Sequence, residues 1–101
     1  MSVMCNKQQC ISILSKASPF IRKEFGVKSM HLFGSVARGE NTEDSDVDLF
    51  VDMPPKALRV VALRYYLQDL LGTTVDLIRN HSRLDSFMIK EIERDGICIF
   101  E

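Results

Sequence analysis

The first part of the chain has the hydrophobic spacing of an amphipathic helix. Between residues 6 and 17 the apolar positions recur at steps of three and four: Cys10, Ile11, Leu14 and Ala17. Ser18 followed by Pro19 is typical of an N-cap and a first helical position, and predicts a second short helix through Phe25 that Gly26 closes. Two helical pieces are therefore expected before the first strand.

Four short segments rich in branched and aromatic residues are bounded by turn residues and predict strands. They cover residues 27–34, 47–53, 73–78 and 96–100. Pro54 and Pro55 open a helix over about residues 56–71, which Gly72 ends. Its expected core side consists of Leu58, Ala62, Tyr65 and Leu70.

Ser82 and Asp85 have the spacing of a capping box and predict a last helix through about Arg94, with Phe87 and Met88 in the core. The order of elements predicts an α/β fold, a small mixed β-sheet with helices packed on it. At 101 residues, the chain is the size of one ordinary domain, so a single domain over residues 1–101 is expected.

Composition narrows the classes of function. The formal net charge of −1, with basic residues scattered along the chain, argues against broad electrostatic binding to nucleic acid. No apolar stretch approaches the roughly 20 residues that span a bilayer, so no membrane contact is expected. Cys5, Cys10 and Cys98 have neither a C-x-x-C pair nor a His at zinc spacing. Reduced thiols and a cytoplasmic location are expected.

Acidic residues are crowded just before and inside the second predicted strand: Glu43, Asp44, Asp46 and Asp48. Glu43 and Asp44 fit a solvated loop. Side chains two apart on a strand share a face, so Asp46 and Asp48 project together. Two like charges about 4 Å apart cost on the order of 4 kcal/mol at an effective dielectric of about 20. The pair therefore favours a divalent cation or one raised pKa.

Asp76 lies between Val75 and Leu77 on the third predicted strand and is the natural third ligand. Ligation by carboxylate oxygens suits Mg²⁺ or Mn²⁺, and Mg²⁺ keeps open positions for water and substrate phosphates. This chemistry indicates phosphoryl transfer.

A Gly-Ser turn ahead of the acids offers a phosphate site. Gly34 allows close approach of the backbone, and Ser35 offers a hydroxyl and an N–H group. Arg38 fits either a phosphate contact or a solvated turn residue. A calcium loop is excluded because Leu49 and Pro55 stand where that pattern needs Gly and Glu, and the turn lacks the Lys of a Walker P-loop.

Gly34-Ser35, ten residues, then Asp46-Val47-Asp48 resembles the G-S-x10-D-x-D signature of the DNA polymerase beta-like nucleotidyltransferase superfamily. The run LFGSVARGENTEDSDVDLFV, with VDLI downstream, is similar to the minimal nucleotidyltransferase (MNT) subgroup. The resemblance extends from the helix before the first strand to the last strand, and implies the polymerase beta-like fold.

The resemblance implies transfer of a nucleoside monophosphate, most simply AMP from ATP, to an acceptor hydroxyl with release of pyrophosphate. It assigns two divalent ions, Mg²⁺ or alternatively Mn²⁺, to Asp46 and Asp48, with Asp76 holding one of them and activating the acceptor. Gly34 and Ser35 would grip the triphosphate of ATP or another NTP. Many small MNT proteins resemble antitoxins that adenylylate a HEPN partner, so a HEPN-type toxin is the expected protein partner.

Two alternatives stay open. The chain could instead be a non-catalytic antitoxin or scaffold module that neutralises its partner by surface contact. Transfer to a small molecule such as an aminoglycoside is less favoured, because such enzymes usually add a helical domain. The sequence leaves the nucleotide base, the acceptor and a homo-oligomeric state undetermined.

Overall fold

The computed structural model describes residues 6–42, 45–81 and 84–101. Its elements follow in the order α1 (Lys7–Phe25), β1 (Ser29–Phe33), α2 (Gly34–Arg38), β2 (Val47–Asp52), α3 (Ala57–Leu71), β3 (Val75–Arg79), α4 (Ser86–Asp95) and β4 (Ile97–Phe100). The strands form one sheet in the order β3-β2-β1-β4. β2 and β3 are parallel, whereas β1 is antiparallel to both of its neighbours. The predicted α/β fold with a small mixed sheet is confirmed.

One face of the sheet forms the core. Along β2 the residues alternate between buried and half-buried, with Val47, Leu49 and Val51 on the buried side. These side chains join one hydrophobic cluster with buried residues of α1 and α3. The other side of β2 carries Asp48 and Phe50, so the chemistry-bearing face of the sheet is the one opposite α1 and α3.

The first helix is continuous, so the expected break at Ser18 is wrong. Pro19 lies inside α1 and has no N–H for the Ser15 carbonyl one turn earlier. The Ser18 hydroxyl donates to that carbonyl at 2.8 Å, which takes the place of the missing backbone bond. Ser18 therefore bridges the gap within a helix rather than starting a new one.

The core side of α3 also differs from the expectation. Leu63, Leu67 and Leu71 are buried, whereas Leu58 is 88% and Tyr65 61% exposed. Apolar residues lie on several sides of this helix, so spacing alone does not select the buried side. Packing against α1 and β3 buries the stripe that recurs every four residues, Leu63, Leu67 and Leu71.

The last helix begins at Ser86, and its N-cap is Asp85, whose carboxylate accepts from the Phe87 N–H at 3.0 Å. The predicted start was therefore too early; Ser82, like Glu43 and Asp44, lies outside the described residues. Phe87 is 68% exposed, contrary to its assignment to the core, and Ile92 is the buried residue of α4.

Two further expectations concern the cysteines and the membrane. Cys98 is a free thiol, but Cys10 is fully buried and disulfide-bonded, so the expectation of reduced thiols is wrong at Cys10. None of the described helices combines the length and the apolar character needed to cross a membrane.

Replacement of Pro19 by Ala should stabilise the protein by about 1 to 2 kcal/mol, because a proline inside a helix costs up to about 3 kcal/mol relative to alanine. Part of this gain is offset by the greater freedom of the unfolded chain. Urea denaturation of Pro19→Ala and the parent would measure the change. Lower stability of the variant would show that the proline is required by this helix.

Candidate active site

The parallel pairing of β2 with β3 brings two predicted site residues side by side. Asp48 is the register partner of Asp76, while the flanking partners Val47 and Val75 are buried below. Asp48 is half-buried and Asp76 is exposed. Register therefore places both carboxyl groups on the face opposite the core.

Burial, together with crowding of negative charge, raises the pKa of Asp48 to about 6. Burial is the largest cause, because it disfavours the charged carboxylate. The negative charges of Asp76 and Asp46 act in the same direction, whereas the nearby guanidinium of Arg38 opposes them. Below this pKa a proton on Asp48 removes one of the crowded negative charges, which relieves part of the repulsion.

Gly34 lies directly against the Asp48 carboxyl group. Its φ is +74°, in the left-handed region, and a Cβ there would overlap the carboxylate and lie 2.9 Å from its Cγ. Phe33, the residue before it, pairs with Asp48 across the sheet. Only glycine thus allows β1 to turn into α2 this close to the acid.

The short helix α2 starts at this turn, with Ser35 as its second residue. The first amide groups of any helix have no acceptor within it, so they are free to donate to an anion. Ser35 is half-buried beside Gly34, and the buried Val36 anchors the turn in the core. The turn therefore presents backbone donors and a hydroxyl next to the aspartates.

Arg38 closes α2 and is paired with two carboxylates. Its Nε donates to Glu40 at 3.1 Å, and its Nη1 lies 3.5 Å from Asp95 at the end of α4. The hydrogen bond to Glu40 is the main cause that raises the pKa of Arg38. Glu40 and Asp95 could not be predicted as partners of Arg38, since neither belongs to a motif and the Asp95 contact depends on how α4 packs.

Asp46 is exposed and immediately precedes β2. Its charge acts on Asp48, but the three aspartates do not form a trio with all ligand atoms within 4.8 Å in the described part of the chain. The donor set consists only of carboxylate oxygens, which suits a hard divalent cation such as Mg²⁺. The chemistry of these three carboxylates suits such an ion, because its positive charge would offset the repulsion that Asp76 and Asp46 exert on Asp48.

Comparison with known proteins agrees with this geometry. Residues 14–100 match the nucleotidyltransferase domain, and the chain belongs to that family. The protein adenylyltransferase MntA of Thermococcus cleftensis is 39% identical over 98 residues, which cover 95% of this chain and 98% of the relative. The protein is accordingly a nucleotidyltransferase, an enzyme that transfers a nucleoside monophosphate.

Solved structures place it more narrowly, among the minimal nucleotidyltransferases. One such structure superposes with a TM-score of 0.77 at 30% identity, covering 96% of this chain and 98% of the other. A chain from the complex of a tri-AMPylated HEPN toxin with an MNT antitoxin of Shewanella oneidensis shares the fold, with a TM-score of 0.66 at 18% identity. That match covers 93% of this chain and 71% of the other.

Gly34→Ala should cost about 1 to 3 kcal/mol more stability than Gly72→Ala. Gly72 has a similar φ of +69° with nothing within 4 Å of an added Cβ, so it reports backbone strain alone. At Gly34 the new methyl group must also displace Asp48. Chemical denaturation of both variants measures the difference, and equal losses would show that Asp48 yields freely.

Asp48→Asn should stabilise the metal-free protein at pH 7.5. The pKa of Asp48 is raised from 3.8 to about 6, so its favourable contribution is complete below about pH 4 and is lost as pH rises through 6. Partial exposure screens the effect, which we expect to be about 1 kcal/mol.

Denaturation in EDTA at pH 7.5 and at pH 4 tests this pH dependence. The gain from Asp48→Asn should be present at the higher pH and absent at the lower one. A variant that is less stable than the parent at pH 7.5 would contradict the assigned repulsion.

Proposed function

We propose that this protein transfers AMP from ATP, with Mg²⁺, to a hydroxyl on a protein partner such as a HEPN-type toxin. The observation that carries the proposal is the pairing of Asp48 with Asp76 directly beside the Gly34-Ser35 turn. The name of the Thermococcus relative supports the adenylyl group, and the Shewanella complex supports a HEPN partner.

In this proposal the three aspartates have different roles. Asp46 and Asp48 would hold the metal and Asp76 would share one ion, which would supply positive charge near the attacking and leaving oxygens. Asp76, at the exposed side of the pair, also accepts the proton of the acceptor hydroxyl. The acceptor oxygen bonds to the α-phosphorus as the bond to the β-phosphate oxygen breaks and pyrophosphate leaves.

The turn binds the triphosphate. Gly34 leaves room for a phosphate beside Asp48, and Ser35 donates from its hydroxyl and N–H groups. Arg38 reaches the phosphates by exchanging its carboxylate partners for phosphate oxygens. The Arg38 guanidinium and the Glu40 carboxylate are exposed, so their ion pair is weak enough to exchange, whereas Asp95 is only 16% exposed.

A protein acceptor is favoured by an apolar surface on α3. Leu58, Val61 and Tyr65 recur at helical spacing and are 88%, 48% and 61% exposed. Such a stripe is typical of a protein contact. The same stripe favours the second candidate function, a module that neutralises its partner by contact alone.

Asp46→Asn, Asp48→Asn and Asp76→Asn should each reduce AMP transfer more than about 100-fold, because metal ligands contribute several kcal/mol to the transition state. The readout is the intact mass of a co-expressed HEPN-type protein after incubation with ATP and Mg²⁺. Calorimetric titration of ATP should show binding that EDTA abolishes.

Asp52→Asn is the matched control. Asp52 lies on the same strand and the same side of it as Asp48, four residues along, and is also half-buried. Its replacement should leave transfer unchanged. If the triple aspartate variant still neutralises the partner without ATP, the contact module is the correct function; transfer by Asp48→Asn at the parental rate would overturn the proposed site.

A further inference from the structure

A second cluster of potential ligands lies away from the aspartates. His31 on β1 pairs across the sheet with Cys98 on β4, and Glu101 follows that strand. The ligand atoms of His31, Cys98 and Glu101 all lie within 4.8 Å of one another. His31 also pairs with Phe50, two residues beyond Asp48, so the cluster is on the same sheet face but separate from the proposed magnesium ligands.

The imidazole of His31 is incompletely satisfied. Its Nδ1 atom is buried and has no hydrogen-bond partner among the described residues. A buried polar nitrogen without a partner is rare in folded proteins, because it loses its hydrogen bonds to water without compensation. This nitrogen therefore indicates a missing partner at the cluster.

The main chain at Glu101, the third member of the cluster, is held in place by Arg22 of α1. The Arg22 Nη2 group donates to the Glu101 carbonyl at 2.7 Å, and the same guanidinium stacks 4.7 Å from the centre of the Phe100 ring. Glu101 is thus positioned next to Cys98 by contacts that do not use its carboxylate, which stays available as a ligand.

We propose that His31, Cys98 and Glu101 bind a divalent transition-metal ion of the zinc class. Nitrogen, sulfur and oxygen donors together suit Zn²⁺, whose bonds to them are about 2.0 to 2.3 Å long. Ligand atoms around such an ion lie roughly 3.5 Å apart, so the cluster needs only small side-chain rotations to close. The aspartates, with oxygen donors alone, suit Mg²⁺, and the two sites therefore select different metals.

Water completes the coordination from an adjoining cavity of about 520 Å³. This cavity lies between the sheet and α4, and its lining includes His31, Cys98, Ile89, Ile92 and Glu93. Three protein ligands and one water position leave the ion exchangeable. Its binding ties the short edge strand β4 to the central strand β1, so the metal stabilises that edge of the sheet.

Co²⁺ is the first probe, because a cobalt–thiolate bond gives a charge-transfer absorption that carboxylates do not. Titration of the protein should produce this band with one Co²⁺ per chain, and Zn²⁺ should displace it. Cys98→Ser should abolish the band, and Glu101→Gln should weaken Co²⁺ binding at least 10-fold. Both residues are exposed, so neither change is expected to disturb folding.

The double variant Asp48→Asn, Asp76→Asn is the control for binding at the aspartates and should keep the full band. Zn²⁺ should raise the melting temperature of the parent and of this double variant, but not of Cys98→Ser. A band that persists in Cys98→Ser, or an equal thermal shift in that variant, would overturn the zinc site. Neither result bears on nucleotide transfer, since the aspartates are tested separately.

Discussion

The register of β2 against β3 is the constraint on which the rest of the structure depends. Apolar partners such as Val47 with Val75 and Leu49 with Leu77 face the core, so the pair Asp48 and Asp76 must face the other way. A slip of one residue would send Asp48 into the core and Leu49 to the surface. The hydrophobic effect therefore holds two repelling carboxyl groups together, although their own interaction would separate them.

The closeness of Asp48 and Asp76 also constrains the residues around them. Gly34 has no side chain where one would strike Asp48, and its backbone takes a conformation that suits glycine. Arg38 contributes positive charge from the other end of α2, and its contact with Asp95 links α2 to α4. The local stability given up at the acids is characteristic of sites selected for chemistry rather than for rigidity.

Sequence pattern predicted what depends on short spacing. The strands and the closeness of Gly34 to Asp48 follow from residues that are near one another in the chain. The break expected at Ser18 was wrong. The Ser18 hydroxyl donates to the Ser15 carbonyl, which Pro19 cannot reach with an N–H group, and the helix continues. The prediction of the buried side of α3 was wrong, because packing against other elements decides which of several apolar stripes is buried. The closeness of His31 and Cys98 could not be predicted from the sequence, since it depends on the pairing of β4 with β1.

The place of β4 also affects how the protein is made. β1 is central in the finished sheet, but one of its two edges is covered only by a strand that begins at Ile97. During synthesis that edge stays open until nearly all of the chain described here has left the ribosome. An open apolar edge invites pairing with other chains. Arg22 in α1 contacts Phe100 and Glu101, which are synthesised much later. Completion of the sheet is therefore a late step that joins distant parts of the chain.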